Sequence, residues 1–337
     1  MKTIAVIGAG SWGTALAIIA ARAGHNVSLW SRNSAVVEAI NRDHFNPLYL
    51  TGAAIPVTVH ATGEIAEAKH AELIVLAVPS HAARTTLGEL KDLINDGSII
   101  VSATKGIEIE TGKRISQIVD EVLPARAKSF VCFSGPSFAR EVIENHPTAI
   151  VAASADADAA RMAQSVLNFE NLRIYTNDDL VGTELGGSVK NVMAIAAGMV
   201  SGLGFGSNSL AALITRGLAE MTRLALRQGA KLETMMGLSG LGDLVLTCTG
   251  QLSRNRSVGQ QLAEGRSLET ITATMTEVAE GVKTTMAVKR LADRLGIEMP
   301  ITDQVYAVLY ESKPVAEAAR ELMGRPLRME FNRTDRV

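Results

Sequence analysis

One lysine stands alone in a long uncharged stretch of the sequence. Lys190 is the only formally charged residue between Leu185 and Thr215, and its neighbours are mostly valine, methionine, isoleucine and alanine. Burial among such side chains lowers the pKa of a lysine, which suits it to act as a general base near neutral pH. Asn191, the next residue, could orient a hydroxyl or carbonyl oxygen. The pattern fits equally a lysine whose ammonium reaches solvent from a buried helix, so both interpretations stay open.

Polar residues that could hold an anion occur farther along. Gly237–Asp243 is a glycine-rich turn that ends in a carboxylate. Just before a helical pattern that starts near Val258 stand three polar residues, Ser253, Arg254 and Asn255. A hydroxyl, a guanidinium and an amide at the start of a helix can hold a phosphate. The alternative is that the serine is an ordinary helix cap beside surface arginines, which is the commoner arrangement.

The start of the chain has the spacing G-x-G-x-x-G. Four apolar residues, Ile4–Ile7, predict a buried strand, and an alanine- and leucine-rich helix follows the glycines Gly8, Gly10 and Gly13. Such glycines allow a tight turn, let the backbone approach a pyrophosphate, and let the helix pack closely on the strand. The N–H groups at the helix start then face the phosphates. The motif therefore predicts a dinucleotide site.

The same stretch also resembles a signal peptide, because residues 1–2 include a lysine and residues 20–23 resemble a cleavage site. A second short strand, Asn26–Trp30, begins after Gly24, a residue suited to end the preceding helix. A βαβ unit requires that continuation, whereas a signal peptide does not. The cofactor loop is therefore the favoured interpretation.

The end of this second strand bears on which nicotinamide cofactor would bind. A strict NAD site places an acidic residue there to accept the ribose 2′-hydroxyl, but Ser31 and Arg32 stand here instead. Arg32 could pair with a 2′-phosphate or stack on adenine, and Ser31 could donate a hydrogen bond to the phosphate. We predict that NADP(H) is preferred and that NAD(H) is also usable. The alternative is that Arg32 is a solvated loop residue.

Two further loops follow predicted strands. Lys105 comes after a strand at Ser98–Ser102, and the segment Ser134–Ala139 comes after a strand at Phe130–Phe133. Ligands of open parallel sheets bind outside the carboxyl ends of the strands. A lysine and a glycine-proline-serine turn at that edge would suit an anionic substrate, although Lys105 could also be an ordinary solvated lysine.

Composition narrows the class of protein. The 337 residues carry a net charge of −2, with 20% charged and 47% hydrophobic residues, which describes a compact globular chain. Nothing in this charge balance suggests nucleic acid or a membrane surface, and no apolar run is long enough to span a bilayer. Cys132 and Cys248 are far apart and in no metal-ligand spacing, so we expect two buried thiols and no metal. We expect a cytoplasmic protein.

The alternation of elements predicts how these residues are positioned. Short apolar runs alternate with helical patterns up to about residue 178, including a strand at Val57–His60 and a helix that Ser34 would cap. Beyond that point only helical patterns broken by glycines are found. The sequence therefore predicts an α/β Rossmann-type NAD(P)-binding domain over residues 1–180, followed by an all-α substrate and catalytic domain over residues 181–330.

Together these motifs resemble the bacterial NAD(P)H-dependent glycerol-3-phosphate dehydrogenases. The matching segments are residues 8–16, 103–108, 134–139, 186–192, 215–221, 240–244 and 253–255. They occur in order, and the likeness extends to the segment that begins at Glu298, so it covers nearly the whole chain. Departures from the better-known members are minor, since Trp12 is often another aromatic residue and Arg32 is often histidine there.

The resemblance implies reduction of dihydroxyacetone phosphate to sn-glycerol 3-phosphate, which supplies glycerophospholipid synthesis. It implies that Lys190 transfers the proton. Implied substrate-binding residues are Lys105, Gly135, Ser137, Lys190, Asp243, Ser253, Arg254 and Asn255. Implied cofactor-binding residues, besides the glycines and Ser31, are Ser11, Trp12, Arg32, Lys105, Ala139, Arg254, Val278 and Glu280.

Two other functions remain open on the residues alone. A reductase of the same build acting on a β-hydroxy acid or ketopantoate would share the glycine loop and a lysine in the helical domain. A non-catalytic nucleotide-sensing protein would keep the glycines but would not need Lys190 in an apolar helix or Asp243 beside a glycine turn. Helices as apolar as that of Lys190 could also form an interface, which suggests a homodimer.

Overall fold

The computed structural model describes residues 1–95, 97–275, 279–327 and 329–330. The chain forms two compact units. The first consists of residues 1–105 and 113–180, and the second of residues 106–112 with the described residues from 181 onward. The sequence predicts residues 106–112 within the first domain. They belong instead with the second unit, because Ile107 is buried in the hydrophobic core of that unit.

The described residues of the first unit form an eight-stranded sheet. Its strands are β1 Thr3–Ile7, β2 Asn26–Trp30, β3 Val59–Thr62, β4 Leu73–Leu76, β5 Ile99–Ser102, β6 Val131–Ser134, β7 Thr148–Ala153 and β8 Leu172–Asn177. They lie in the order β3-β2-β1-β4-β5-β6-β7-β8. Neighbouring strands are parallel except β6 and β7, which are antiparallel. The order reverses direction at β1, so the topological switch point lies between β1 and β4.

The strands are buried on both faces, as their continuous apolar sequences predict. In β1, Ile4 and Val6 belong to the core on one face, and Ala5 and Ile7 belong to the core on the other. The third strand begins two residues later than the sequence predicts, because Val57 is exposed to solvent rather than packed on the sheet.

Helices cover both faces of this sheet. They are α1 Ser11–Arg22, α2 Ser34–Asp43, α3 Ala83–Leu90, α4 Ile115–Val122, α5 Ala139–Ile143 and α6 Ala157–Leu167. Residues of α1 and α6 pack in the core that includes Ile4, and residues of α3 and α4 pack in the core that includes Ile7. The predicted cap of α2 is wrong by one residue. Asn33 caps this helix, since its side chain accepts hydrogen bonds from the N–H groups of Ala35 and Val36.

The second unit is helical throughout the part that the structure describes. Its helices are α7 Leu180–Gly202, α8 Ser207–Arg227, α9 Leu232–Met236, α10 Asp243–Thr249, α11 Arg254–Ala263, α12 Leu268–Ala273, α13 Glu280–Leu295, α14 Pro300–Tyr310 and α15 Val315–Met323. A π-helical turn, Leu238–Gly242, leads into α10. A Rossmann-type α/β unit followed by an all-α unit confirms the predicted fold class.

Helix α7 is the centre of the second unit. Every residue from Gly182 to Met199 is buried, which explains why the stretch around Lys190 is almost free of charge. The exposure of Lys190 itself is 5%, so its ammonium does not extend into solvent. Among the described residues, no helix is both long and apolar enough to cross a membrane.

Candidate functional site

The glycine loop joins β1 to α1 at the switch point of the sheet. Gly8 has φ +118°, and a Cβ there would lie 2.6 Å from the carbonyl oxygen of Ala77, beyond the end of β4. A Cβ on Gly13 would lie 1.9 Å from the carbonyl oxygen of Gly8, so that glycine lets the helix pack on the turn. The protein's own packing therefore requires these two glycines.

Gly10 differs from the other two glycines. A Cβ at this position would meet no atom within 4 Å beyond its two chain neighbours, and its φ of −70° is open to any residue. The first N–H groups of α1 begin here, and no side chain caps the helix. Open space in front of a helix N-terminus, at a glycine that the protein itself does not require, fits the pyrophosphate of a dinucleotide.

Ser31 and Arg32 directly follow β2, the strand beside β1. The guanidinium of Arg32 lies 5.5 Å from the centre of the Trp30 ring, and its Nη2 donates to Oε1 of Glu89 at 3.0 Å. The hydroxyl oxygen of Ser31 accepts a hydrogen bond from the N–H of Asn33 at 3.2 Å. Arg32 is thus an exposed arginine on an aromatic ring, with a single exposed carboxylate as its observed ion-pair partner.

The other predicted residues of the first unit follow β5 and β6. Lys105 lies three residues beyond the end of β5. Gly135 follows β6 with φ +139°, and a Cβ there would lie 2.9 Å from Cα of Ile150. Ser137 donates to the carbonyl oxygen of Gly135 at 3.1 Å, and Ala139 begins α5. Because β1, β2, β5 and β6 are parallel, all these residues lie at the same edge of the sheet as the glycine loop.

In the second unit, Lys190 is part of a buried polar cluster. Its ammonium forms a hydrogen-bonded ion pair with Asp243, whose exposure is 0%, and donates to the hydroxyl of Thr247 at 2.9 Å. The Thr247 hydroxyl in turn donates to the carbonyl oxygen of Asp243 at 2.6 Å. A carboxylate from α10 therefore faces Lys190, in addition to the apolar residues that surround it in the sequence.

The third member of this cluster, Thr247, is not among the residues predicted from the sequence. It stands four residues after Asp243 on α10, so both side chains lie on one face of that helix. The spacing of four residues is the one sign in the sequence that Thr247 and Asp243 could act together. It does not show that their face of α10 packs against Lys190.

Close backbone contacts bring Asp243 to Lys190. A Cβ on Gly186 of α7 would lie 2.3 Å from the carbonyl oxygen of Ser239, and one on Gly240 would lie 2.1 Å from that of Met235. Gly186 therefore lets the turn before α10 lie directly against α7, and Gly240 lets the same turn fold closely onto the end of α9. Asp243 then stands at the first residue of α10, directly after the π-helical turn.

Three helices meet around Asn191. The amide of Asn255, at the start of α11, donates to the side-chain oxygen of Asn191 at 3.0 Å. The oxygen of Asn255 accepts from the N–H of Gly281 at 2.9 Å, in the first turn of α13 and next to Glu280. Ser253 caps α11, since its hydroxyl accepts from the N–H of Arg256 at 3.3 Å. Ser253 is thus the cap of α11, and this helix begins at residue 254 rather than near 258.

The predicted residues of the second unit therefore lie in two adjoining groups, which contact the neighbouring residues Lys190 and Asn191 of α7. One group contains Lys190 with Asp243, and the other contains Asn255 at the N-terminus of α11, where Ser253 and the exposed Arg254 also stand. Val278 lies outside the described residues. Both cysteines are buried, burial raises the pKa of Cys248 to about 12, and the described residues hold no cluster suited to a metal ion.

Comparison with known protein families accounts for both units. The family profile of the NAD-dependent glycerol-3-phosphate dehydrogenase N-terminus matches residues 3–160, and that of the C-terminus matches residues 179–320. The chain belongs to the NAD-dependent glycerol-3-phosphate dehydrogenase family. This membership confirms the resemblance found in the sequence.

Individual members of this glycerol-3-phosphate dehydrogenase family resemble the chain over nearly its full length. The chain is 51% identical to glycerol-3-phosphate dehydrogenase [NAD(P)+] of Nitratidesulfovibrio vulgaris, over 97% of the chain and 99% of that protein. It is 51% identical to the protein of the same name from Koribacter versatilis, over 97% and 98%. The crystal structure of glycerol-3-phosphate dehydrogenase from Coxiella burnetii superimposes with a TM-score of 0.92, at 40% identity, over 96% of this chain and 99% of that one.

Proposed function

We propose that this chain is an oxidoreductase that reduces dihydroxyacetone phosphate to sn-glycerol 3-phosphate, reversibly, with NADPH or NADH. In this role it supplies glycerol 3-phosphate for glycerophospholipid synthesis in the cytoplasm. The observation that carries the proposal is the buried ion pair of Lys190 and Asp243, with Thr247 as a third member. Relatives of nearly the same length that bear the name of this activity support it.

The first unit is the NAD(P)-binding domain in this proposal. Gly8, Gly10 and Gly13 would hold the pyrophosphate with the N–H groups of Ser11 and Trp12 at the start of α1. The other residues assigned to the cofactor are Ser31, Arg32, Lys105, Ala139, Arg254, Val278 and Glu280. The bound nicotinamide would supply the hydride to the substrate or take it back.

The second unit is the substrate and catalytic domain. Lys190 would give a proton to the C2 oxygen as the carbonyl is reduced, and would take it back in the oxidation. Asp243 would keep the ammonium charged and in place, and the Thr247 hydroxyl would fix the direction of its N–H bonds. A positioned ammonium also stabilises the negative charge that develops on the oxygen.

The phosphate of the substrate would be held at the N-terminus of α11. There Ser253, Arg254 and Asn255 combine a helix dipole, a guanidinium and an amide. Lys105, Gly135 and Ser137 would contribute further contacts to the substrate. A phosphate requirement distinguishes this proposal from the ketopantoate and β-hydroxy acid reductases of similar build.

We further propose that NADPH is preferred over NADH, because the strand β2 ends in Ser31 and Arg32 rather than in a carboxylate. We also infer a homodimer. Helix α7 is buried within its own unit, so it is not available to form the dimer interface. The support for an interface is instead a set of exposed apolar side chains in the same unit, namely Met236, Phe205, Leu232 and Leu252. Light scattering on the purified protein would test the dimer.

One assay separates the proposed function from its rivals. The absorbance of NADPH is followed with dihydroxyacetone phosphate, with unphosphorylated dihydroxyacetone and with ketopantoate. We expect rapid oxidation with the phosphorylated substrate and little with the other two. Faster turnover of ketopantoate would indicate the related reductase. Tight binding of NADPH without turnover of any substrate would indicate a nucleotide-sensing protein.

A further inference from the structure

A buried asparagine outside the glycine motif contacts the glycine loop. Asn46 lies in the segment between α2 and β3, and its exposure is 1%. Its Nδ2 donates to the carbonyl oxygen of Ala9 at 2.9 Å and to the hydroxyl of Thr14 at 3.0 Å. The Thr14 hydroxyl donates to the same Ala9 oxygen at 3.3 Å. The carbonyl of Ala9 is thus held by two side chains that also contact each other.

The two ends of the Asn46 side chain have separate partners. While Nδ2 contacts the glycine loop, Oδ1 accepts hydrogen bonds from the N–H groups of Leu48 and Tyr49 at 3.1 and 3.0 Å. The oxygen therefore organises the segment that carries the asparagine, and only the nitrogen reaches the glycine loop. A substitution that changes the nitrogen alone can separate these two contributions.

Peptide geometry links the Ala9 carbonyl to the ligand side of the loop. The carbonyl of Ala9 and the N–H of Gly10 belong to one planar trans peptide, so they point in opposite directions. If the carbonyl is fixed toward Asn46, the N–H of Gly10 is fixed away from it. Of the three loop glycines, Gly10 is the one whose added Cβ would meet no atom within 4 Å beyond its chain neighbours, so there is open space beside this peptide for the pyrophosphate.

We propose that Asn46 is a positioning residue for dinucleotide binding, which holds the Ala9–Gly10 peptide with its N–H directed at the pyrophosphate. The proposal rests on the cofactor site described under the proposed function. Without the two donors of Asn46 and Thr14, the buried Ala9 carbonyl would lose its side-chain hydrogen bonds, which is energetically costly. The peptide would then be favoured to turn so that the carbonyl finds another donor, and the Gly10 N–H would turn with it. Both NADPH and NADH depend on this effect equally, because the pyrophosphate is common to both.

The test is the substitution Asn46→Asp, which keeps an oxygen for Leu48 and Tyr49 but removes the donor to Ala9. Titration calorimetry gives the Kd of NADPH and of NADH, and the Tm of the ligand-free protein is measured in parallel. We expect both Kd values to rise by the same factor, about tenfold or more. The matched control is Asn41→Asp. Asn41 makes a similar pair of hydrogen bonds, to Ala61 on β3, and should leave both Kd values unchanged.

A second variant covers the case in which Asn46→Asp does not fold. Thr14→Val removes one donor to the Ala9 oxygen and the acceptor for Nδ2, and is expected to raise both Kd values by about three- to fivefold. Unchanged Kd values in whichever of the two variants folds would overturn the proposal, as would a lower Tm with unchanged Kd. Failure of the unmodified protein to bind either dinucleotide would instead refute the proposed function.

Discussion

Lys190 on α7 and Asp243 on α10, 53 residues apart in the chain, form an ion pair that is almost completely withdrawn from solvent. Removal of two charges from water is costly, and only mutual attraction with further hydrogen bonds compensates for it. Thr247 supplies one such bond. A pair of this kind adds little net stability, which favours a role in chemistry over a role in folding.

The variant Lys190→Met tests that role. It keeps the length of the side chain and removes the ammonium, so we expect kcat/KM for dihydroxyacetone phosphate to fall about 100- to 10,000-fold. It also leaves the Asp243 carboxylate buried without its cation, which should cost about 3–5 kcal/mol of unfolding free energy. Steady-state kinetics and denaturant unfolding measure the two effects.

A double variant separates activity from stability. Lys190→Met combined with Asp243→Asn removes both charges, and we expect most of the lost unfolding free energy to return while the activity stays low. Activity close to that of the unmodified protein in either variant would contradict the assignment of Lys190 as proton donor.

The ion pair of Arg32 and Glu89 bears on the choice of cofactor. In Arg32→Ala we expect KM for NADPH to rise about tenfold, because a charge-assisted contact to the 2′-phosphate is lost, while KM for NADH stays unchanged. Glu89→Gln should have the opposite effect. It removes an exposed carboxylate that competes for Arg32, so KM for NADPH should fall, by less than about fivefold. Equal changes for NADPH and NADH would exclude Arg32 from recognition of the 2′-phosphate.

Glu220 on α8 makes the stability of the second unit depend on pH. Its buried carboxylate accepts hydrogen bonds from the N–H groups of Ile301 and Thr302 in the first turn of α14. Burial is the main cause that raises the pKa of Glu220 from 4.5 to about 7, and Asp303 adds to it. The hydrogen bonds from α14 and the charge of Arg223 act in the opposite direction.

The raised pKa fixes the sign of the pH dependence. Between pH 4.5 and about pH 7, unfolding releases a proton from Glu220, so the folded state becomes less stable as pH rises through this range. The loss should reach about 3 kcal/mol. In Glu220→Gln the pH dependence of the unfolding free energy should be weaker by that amount, measured by urea unfolding across the range. Glu233→Gln, at an exposed position in α9, is the control, and equal slopes in the two variants would rule out Glu220 as the cause.

The close crossing of α7 and α11 depends on two glycines. A Cβ on Gly259 would lie 1.9 Å from the carbonyl oxygen of Ile195, and one on Gly198 would lie 1.9 Å from that of Arg256. We expect Gly259→Ala to lower the unfolding free energy by at least about 1–3 kcal/mol, because the helices must separate, and to raise KM for dihydroxyacetone phosphate. Gly88→Ala is the control. Its Cβ would meet no atom within 4 Å outside the backbone of its own helix, so it should leave KM unchanged and stabilise α3 by about 0.5–1 kcal/mol. A Gly259→Ala protein as stable as the unmodified one would show that the crossing tolerates a methyl group.

The sequence by itself determined the fold class and the residue types that the site needs. The strand–glycine–helix pattern at Gly8 and the helical patterns after residue 178 are local, because strand and helix periods and glycine spacing act over a few residues. A short contiguous motif such as Ser253 to Asn255 can be recognised in the sequence for the same reason. The family resemblance rests on these local segments in their order.

Only the tertiary structure decided which of these residues meet. Asp243 reaches Lys190 because glycines at 186 and 240 let backbones approach, and Asn46 reaches the carbonyl of Ala9 across 37 residues. Such contacts depend on how whole elements pack, and no local pattern encodes the partner of a given face. For that reason the sequence showed a lone lysine in an apolar helix, whereas the folded chain shows a lysine paired with a carboxylate.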